Sequence, residues 1–471
     1  MPRLAHTRTR RTPLRLRAAL VAVLIGSLVS SSANAAGIIR DAETEALIRD
    51  YAKPLFRAAG VASQNIRIHI VNDRNFNAFV VDGHNMFMHA GTLMLAETPN
   101  QVIGVIAHET GHITGGHLAR LRSQVAKAKS TALMLQLLGI LAGAGGVLAG
   151  VPNAAQVGMG AAMGGQHAAL RSLLAYRQTE ESSADQAGMS FLNATKQSGR
   201  GMLETFEVLA RKLRGIQGIN PYLMTHPLPQ TRISQLRRLV ETSPYYNKKD
   251  APELQFRHDL IRAKLSGFLD KPEIALNRYP SSDPSLPALY ARAIATYRQS
   301  GVDAAMPLLD KLIAEQPDWP YFYELKGQFL FESGRGGEAI APLKKAIELV
   351  PHEALIQIML AQAMLGTEDN RHLDDVIRNL RQALVREKAS ALGYRQLASA
   401  FARKAELAKA RGAKRNYMAR ASLASAEAYF YEGRLDLAKQ QAKRAKAGFI
   451  DGTPNWIKAD DILAFKVPRT N

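Results

Sequence analysis

Residues Gln101 to His117 read QVIGVIAHETGHITGGH, and this stretch decides how the rest of the chain is read. Val102, Ile103, Val105, Ile106 and Ala107 lead into it at helical spacing, and His108, Glu109 and His112 then form the pattern HExxH. On a helix, residues four apart lie one above the other on one face, so both imidazoles can reach a single cation. Zinc suits such a pair, because a catalytic site takes three protein ligands and keeps a position for water. Glu109, beside the first histidine, is placed to take a proton from that water. The competing reading is a buried helix whose histidines are satisfied within the core. Pro99 and Asn100 mark the expected start of the helix, and Gly115-Gly116 its end. A metzincin would need its third histidine at residue 118, which is Leu118, and this argues against His117 as a ligand.

The 471 residues suffice for two or three domains. Six arginines between Arg3 and Arg17 precede the uncharged run Ala18 to Val29 and the small residues Ala33-Asn34-Ala35. That layout predicts a secretory signal peptide over residues 1–35, cleaved near Ala35, with delivery to the periplasm. Thr9-Arg10-Arg11-Thr12-Pro13-Leu14-Arg15 leaves both the general and the twin-arginine export routes open. The chain has no cysteine, so packing or a metal must stabilise it in place of disulfides. The net charge of +20 is reduced by removal of the leader. Much of the remainder sits in Arg403, Lys404, Lys409, Arg411, Lys414, Arg415 and Arg420. In an exported protein this patch points to lipid headgroups, envelope polysaccharide or acidic protein surfaces, and not to nucleic acid; the plainer reading is a solvated basic face.

Residues 36–246 read as one domain. Ile38 to Ala59 predicts an amphipathic helix with Ile48, Tyr51, Leu55 and Phe56 on its apolar side. Ile66, Ile68 and Ile70 alternate as in a half-buried strand. Asn77-Ala78-Phe79 and Met86 to His89 are two further extended segments about an Asp82-Gly83-His84-Asn85 turn. From Ser130 to Leu170 no residue is charged. The segment predicts two helices packed on the domain or resting on a membrane surface, with a bilayer hairpin as the competing reading. Glu181 and Asp185, four apart on an expected helix, point the same way. An HExxH site needs a third ligand from elsewhere, and a carboxylate is a common choice; an aspartate nearby can fix the tautomer of a ligand histidine. His226, in Thr225-His226-Pro227-Leu228-Pro229, has three open roles: stabilising an oxyanion, serving as a fourth metal ligand, or capping the following helix. Arg232 could contact substrate or brace that loop.

The combination of His108-Glu109-x-x-His112, Glu181-x-x-Ala184-Asp185, Asn77-Ala78-Phe79 upstream, and Thr225-His226-Pro227 with Arg232 downstream resembles the gluzincin peptidase family that includes the HtpX and CAAX prenyl proteases. The resemblance implies one zinc ion on His108, His112 and Glu181, Glu109 as general base and Asp185 behind the ligands. Together with an export signal and C-terminal repeats it implies protein substrates and work beside the outer-membrane assembly machinery. HtpX is membrane-embedded, which keeps an integral membrane peptidase among the alternatives.

Residues 252–448 carry a repeat. Pro317 and Pro351 are 34 residues apart, the tetratricopeptide period. Gly327, Ala339, Leu343 and Ala346 recur at the offsets of Ala293, Ala305, Leu309 and Leu312. Ala361, Val376, Leu380 and Ala383 continue the register, with flanking units suggested by Ala263 with Ala275 and by Ala426 with Ala438 and Ala445. Small residues at these positions let paired helices approach, and the concave face of such an array is a protein-binding surface. The expected fold is mainly α: an α+β zincin-type domain with a short sheet, an α-helical tetratricopeptide array, and a tail over 449–471. The expected function is an exported zinc endopeptidase. A chaperone or binding protein with a closed metal site is the main alternative.

Overall fold

The computed structural model describes residues 37–62, 65–148, 154–213, 226–367 and 369–467, so the expected signal peptide and Thr225 lie outside the described residues. One compact unit runs from Ile39 to Asn471.

The chain enters through a two-residue strand β1 (Ile38–Ile39) and a helix α1 (Ala42–Ala58). The amphipathic helix expected from Ile38 therefore begins four residues later. Asp41 stops it from starting earlier: its extended backbone precedes the first turn and its side chain accepts from Thr44 N at 2.8 Å. The apolar face is as the periodicity predicts, with Leu47, Ile48, Tyr51, Leu55 and Phe56 buried. Strands β2 (Arg67–Val71), β3 (Ala78–Val81) and β4 (Asn85–His89) complete a four-stranded sheet in the order β1-β2-β4-β3. β2 runs parallel to β4, and β3 runs antiparallel to it with Phe79 opposite Phe87. Asp82 and Gly83 both take positive φ in the connecting turn, and Asp82 Oδ1 accepts from the His84 and Asn85 amides.

After a short helix α2 (Ala90–Leu95), helix α3 (Pro99–Gly115) runs through the middle of the domain. It is buried from Val102 to Gly111, and from Val102 to Ala107 it is apolar on all sides, as a central helix requires. Fully burying each of its large aliphatic side chains contributes about 1.5–3 kcal/mol. Its N-terminus is fixed by Asn100, which donates to Ser198 O and accepts from Gly201 N, both at 2.7 Å. Gly116 ends it in the left-handed region at φ 62°.

The uncharged segment falls in two long helices, α4 (His117–Leu148) and α5 (Ala154–Ala194), which pack on each other. Among the described residues no helix is long and apolar enough to cross a membrane. Helices α6 (Arg200–Leu213) and α7 (Gln230–Glu241) close the domain.

The C-terminal half is helical throughout: α8 (Pro252–Leu269), α9 (Pro272–Arg278), α10 (Leu286–Ser300), α11 (Val302–Glu315), α12 (Pro320–Glu332), α13 (Gly336–Leu349), α14 (Ala354–Gly366), α15 (Leu373–Arg386), α16 (Ala391–Leu407), α17 (Arg411–Tyr431), α18 (Leu435–Lys446) and α19 (Pro454–Ala464). From α9 onward each helix packs on the next, an arrangement consistent with a repeat array. Ala293, Ala305, Leu309, Leu312, Ala339, Leu343, Ala346, Ala361, Leu380 and Ala383 are all fully buried. A Cβ on Gly327 would stand 2.5 Å from Leu343 Cγ, which is why that first-helix position is small. The stretch 449–471 holds a helix where a tail was expected. Ala459 and Ile462 of α19 pack with Ala438, Ala442 and Ala445 of α18.

The two halves share a core. Ile261 and Leu265 of α8 belong to the cluster that surrounds α3, while Leu260 of α8 and Ala42 of α1 belong to the cluster of the array. At this junction Lys264 is buried and meets Asp41 at 2.5 Å and Glu43 at 3.2 Å. Glu43 also accepts from Tyr290 Oη at 2.8 Å and Trp319 Nε1 at 3.0 Å. One charged cluster thus joins α1, α8, α10 and the start of α12.

Candidate metal centre

Helix α3 presents His108 and His112 on one face, one turn apart, against α5. The approach of the two helices is set by glycine. A Cβ on Gly111 would lie 2.6 Å from Ala184 O, and one on Gly188 would lie 3.2 Å from the backbone of Ala107 and His108. Gly111 admits only hydrogen and Gly188 little more, and this closeness brings Glu181 and Asp185, one turn apart on α5, to the histidines. The loop before α7 adds His226.

Six expected site residues meet here. His108, Glu109, Glu181, Asp185 and His226 are buried, and His112 is partly so. His108 Nε2 lies 3.1 Å from His112 Nε2, 3.4 Å from His226 Nδ1 and 3.4 Å from Glu181 Oε2. His226 Nδ1 lies 3.1 Å from both Glu181 oxygens, and His112 Nε2 is 3.5 Å from Glu181 Oε1. Four donors of the kind that hold metals thus converge, and among the described residues His108, His112, Glu181 and His226 are the group that could hold an ion.

Their spacing tests the fit. A tetrahedral ion bound at about 2.1 Å has ligand-to-ligand edges of about 3.4 Å, and the five edges just given run from 3.1 to 3.5 Å. The outer nitrogens of the two helix histidines are engaged elsewhere. His108 Nδ1 is 2.9 Å from Asp185 Oδ1, and His112 Nδ1 is 2.8 Å from His117 Nδ1. The Nε2 lone pairs are therefore turned inward, toward each other and toward a carboxylate. Such a set calls for positive charge at its centre.

The electrostatics express the same demand. Burial acts to strip His108 of its proton, but Asp185 and Glu181 outweigh it and push its pKa up to about 9. Burial and the neighbouring charge of His108 hold His112 well below the usual histidine range. Burial opposes the charged form of Glu181, yet His226, His108 and Arg232 bring it well below the usual carboxylate range. Glu109 behaves differently. Burial raises its pKa against the pull of His226 and His108, and no described group donates a hydrogen bond to either of its oxygens. His226 Nε2 stands 3.6 Å from Glu109 Oε1. A buried carboxylate with idle acceptors beside a cation site has the properties of a proton acceptor.

Arg232 braces the surroundings. It pairs with Asp185 through Nε at 2.7 Å and Nη2 at 2.8 Å, reaches Glu181 Oε2 at 2.7 Å, and donates to Pro227 O at 2.9 Å. It thereby fastens the loop that carries His226 to α5. The N-cap of α7 is Pro229, three residues after His226. His117, weighed in the sequence only as a ligand, stands behind His112 and meets Glu180 at 3.2 Å, which in turn pairs with Arg120 at 2.9 Å. Its i+5 spacing across the Gly116 break hides this role. Phe206 of α6, edge-on to His108 at 5.7 Å with Arg232 over its ring at 4.9 Å, had no sequence signal at all.

Residues 40–240 match the model of peptidase family M48. Over 302 and 304 residues respectively, the chain is similar to the beta-barrel assembly-enhancing proteases of Yersinia pestis and of Escherichia coli K12. Both are 26% identical to it, with 63% of this chain and 60% of each relative covered. It is also 27% identical to the metalloprotease LoiP of Escherichia coli K12, over 40% of this chain and 70% of the relative. The chain spans about three-fifths of the length of the assembly-enhancing proteases it matches.

Proposed function

We propose that this chain, which carries a peptidase family M48 domain over residues 40–240, is an exported zinc endopeptidase acting on protein substrates. The observation that carries the reading is the convergence of four donor residues, their ligand atoms within 4.8 Å of one another, with Glu109 beside them. His108, His112 and Glu181 would hold the ion, Asp185 would fix the tautomer of His108, and His226 would fill the fourth position at rest. When bound, zinc supplies a Lewis acid that polarises the scissile carbonyl and lowers the pKa of water near it. Glu109 takes the proton of the attacking water and passes it to the leaving amine. Strand β3 lies at the edge of the sheet and packs on α3, so an extended substrate can add to it by backbone pairing. For cleavage His226 must leave its position, and Arg232, bound to Pro227 O, holds the loop that must move.

The names of the relatives support a place in outer-membrane protein assembly and quality control, in the periplasm after removal of residues 1–35, with residues 252–448 as a tetratricopeptide array that binds protein partners. Leu133 and Met134, 58% and 61% exposed at the edge of the uncharged segment, support contact of residues 130–170 with a membrane surface. The fourth donor His226 favours one second reading, a binding protein or chaperone whose metal site stays closed. Zinc content and peptide cleavage, measured for the wild type and for Glu109→Gln, test the proposal. Zinc in both with cleavage only in the wild type is expected; equal cleavage in both would refute the mechanism. A cellular phenotype lost on truncation of the array but kept in Glu109→Gln would move the reading to the chaperone.

A further inference from the structure

The basic stretch near the C-terminus has no part in the peptidase reading, yet one member of it faces a groove. Helices α15, α16, α17 and α19 enclose a cavity of about 210 Å³ lined by Arg381, Leu384, Phe401 and Arg420. Arg381, Phe401 and Arg420 also line the neighbouring cavity toward Tyr417, and Tyr394, Glu427 and Lys458 line another toward Phe430 and Phe465. The three adjoin through these shared lining residues and together form a channel, with the arginines at the joint of the first two.

Most cations nearby are neutralised within the fold. Arg378 pairs with Asp375 at 2.6 Å, Lys404 with Asp374 at 2.7 Å, Lys458 with Glu427 at 3.5 Å, and Arg395 with Glu432. Arg381 and Arg420 differ, because among the described residues no carboxylate pairs with either. Both stack on one aromatic ring, with guanidinium carbons 5.5 and 5.8 Å from the centre of Phe401, and Arg420 donates only to Asn416 Oδ1, at 2.7 Å. Partial burial and the repulsion of Arg420 pull Arg381 below its usual pKa. Two like charges held together over a buried ring are relieved by one anion between them, and a guanidinium fork matches a carboxylate. Apolar surface continues along the channel in Val385, 67% exposed, and Tyr431, 42% exposed.

We propose that this channel binds an extended acidic protein segment, with one internal Asp or Glu carboxylate gripped between Arg381 and Arg420 and its apolar neighbours laid toward Phe401 and Tyr394. An internal carboxylate fits better than a chain terminus, because the arginines stand where two cavities meet and the channel runs on beyond them. The inference needs the helical array and not the metal chemistry.

The test uses the full chain and a fluorescent synthetic peptide that alternates Glu with Phe and Leu and is amidated at its C-terminus. Arg381→Gln and Arg420→Gln should each weaken binding by about tenfold, the scale of one lost charged hydrogen bond, while the exposed Arg444→Gln on α18 leaves it unchanged. Arg420→Lys, which keeps the charge but not the fork, should recover part of the loss. Circular dichroism melting of each variant separates lost binding from lost folding. Equal affinity for the Gln-for-Glu peptide would overturn the proposal. Preference for a neutral peptide with a free C-terminal carboxylate would also overturn it, in favour of a terminus. Binding of phosphatidylglycerol vesicles that depends on the two arginines, with no peptide binding, would replace the protein segment with a membrane surface.

Discussion

Two buried clusters of titratable side chains lie in this molecule, and they solve one problem in opposite ways. At the junction of the two halves, Asp41, Glu43 and Glu324 gather around Lys264, and the chain brings its own cation. At the candidate metal centre, two imidazoles of α3, His226 and Glu181 point at one spot, and among the described residues no Lys or Arg stands among the four donors. Arg232 approaches from behind, pairing with Glu181 and Asp185. A buried carboxylate is costly without a partner. The comparison teaches that a structural cluster is recognised by the internal cation at its middle, and a metal site by the want of one.

The largest effect that would sharpen this contrast is chemical. Glu109→Gln should lower peptide cleavage by about 10²–10⁴-fold, the usual contribution of a general base, with bound zinc unchanged by elemental analysis. Loss of the metal together with activity would make Glu109 part of the metal-holding set.

At the junction, Lys264→Met should cost about 3–5 kcal/mol of stability, because Asp41 and the buried Glu43 would lose their shared cation. Urea unfolding measures it, and chelators should not change the difference. A cost near zero would mean that the cluster is solvated and the comparison fails.

A smaller effect is expected behind the ligands. Asp185→Asn keeps the shape but loses the charge that orients His108, and zinc affinity should fall about 10–100-fold. Competition with a chelating dye reads this directly.

The smallest, taken per unit of pH, is a titration. Burial, opposed by Lys264 and reinforced by Asp41 and Glu43, pushes the Glu324 carboxyl up to about 8 from 4.5. The folded protein then holds a proton that the unfolded chain has released. This contribution is complete below pH 4.5, and is lost as pH rises through 8, at up to about 1.4 kcal/mol per unit. Glu324→Gln should flatten thermal stability across that window. An unchanged slope would show that Glu324 does not titrate there.

The two clusters also differ in how far the sequence reveals them. HExxH and the Glu181/Asp185 pair are local patterns, each legible at helical spacing, whereas the sequence leaves His226 open among three roles. The small residues of the array were legible for a similar reason, since close helix pairing repeats at a fixed period. What stayed hidden depends on long-range packing. Lys264 stands between Ala263 and Leu265 with no local sign that α1 delivers Asp41 and Glu43 to it. The closeness of α3 to α5 rests on Gly111 and Gly188, which in sequence resemble ordinary helix interruptions. Among the three roles open to His226, proximity to Glu181 could only come from the fold. The separation into a domain ending at residue 246 and an array starting at 252 was plausible as sequence, but α8 serves both cores.

The measurement that tests the central claim most directly is X-ray absorption at the zinc edge on the full chain, in the wild type and in His226→Ala. The account predicts one zinc per chain, with three nitrogens and one carboxylate oxygen at about 2.0–2.2 Å, and a nitrogen replaced by oxygen in His226→Ala. A folded chain without zinc, or a wild-type spectrum that His226→Ala leaves unchanged, would contradict it.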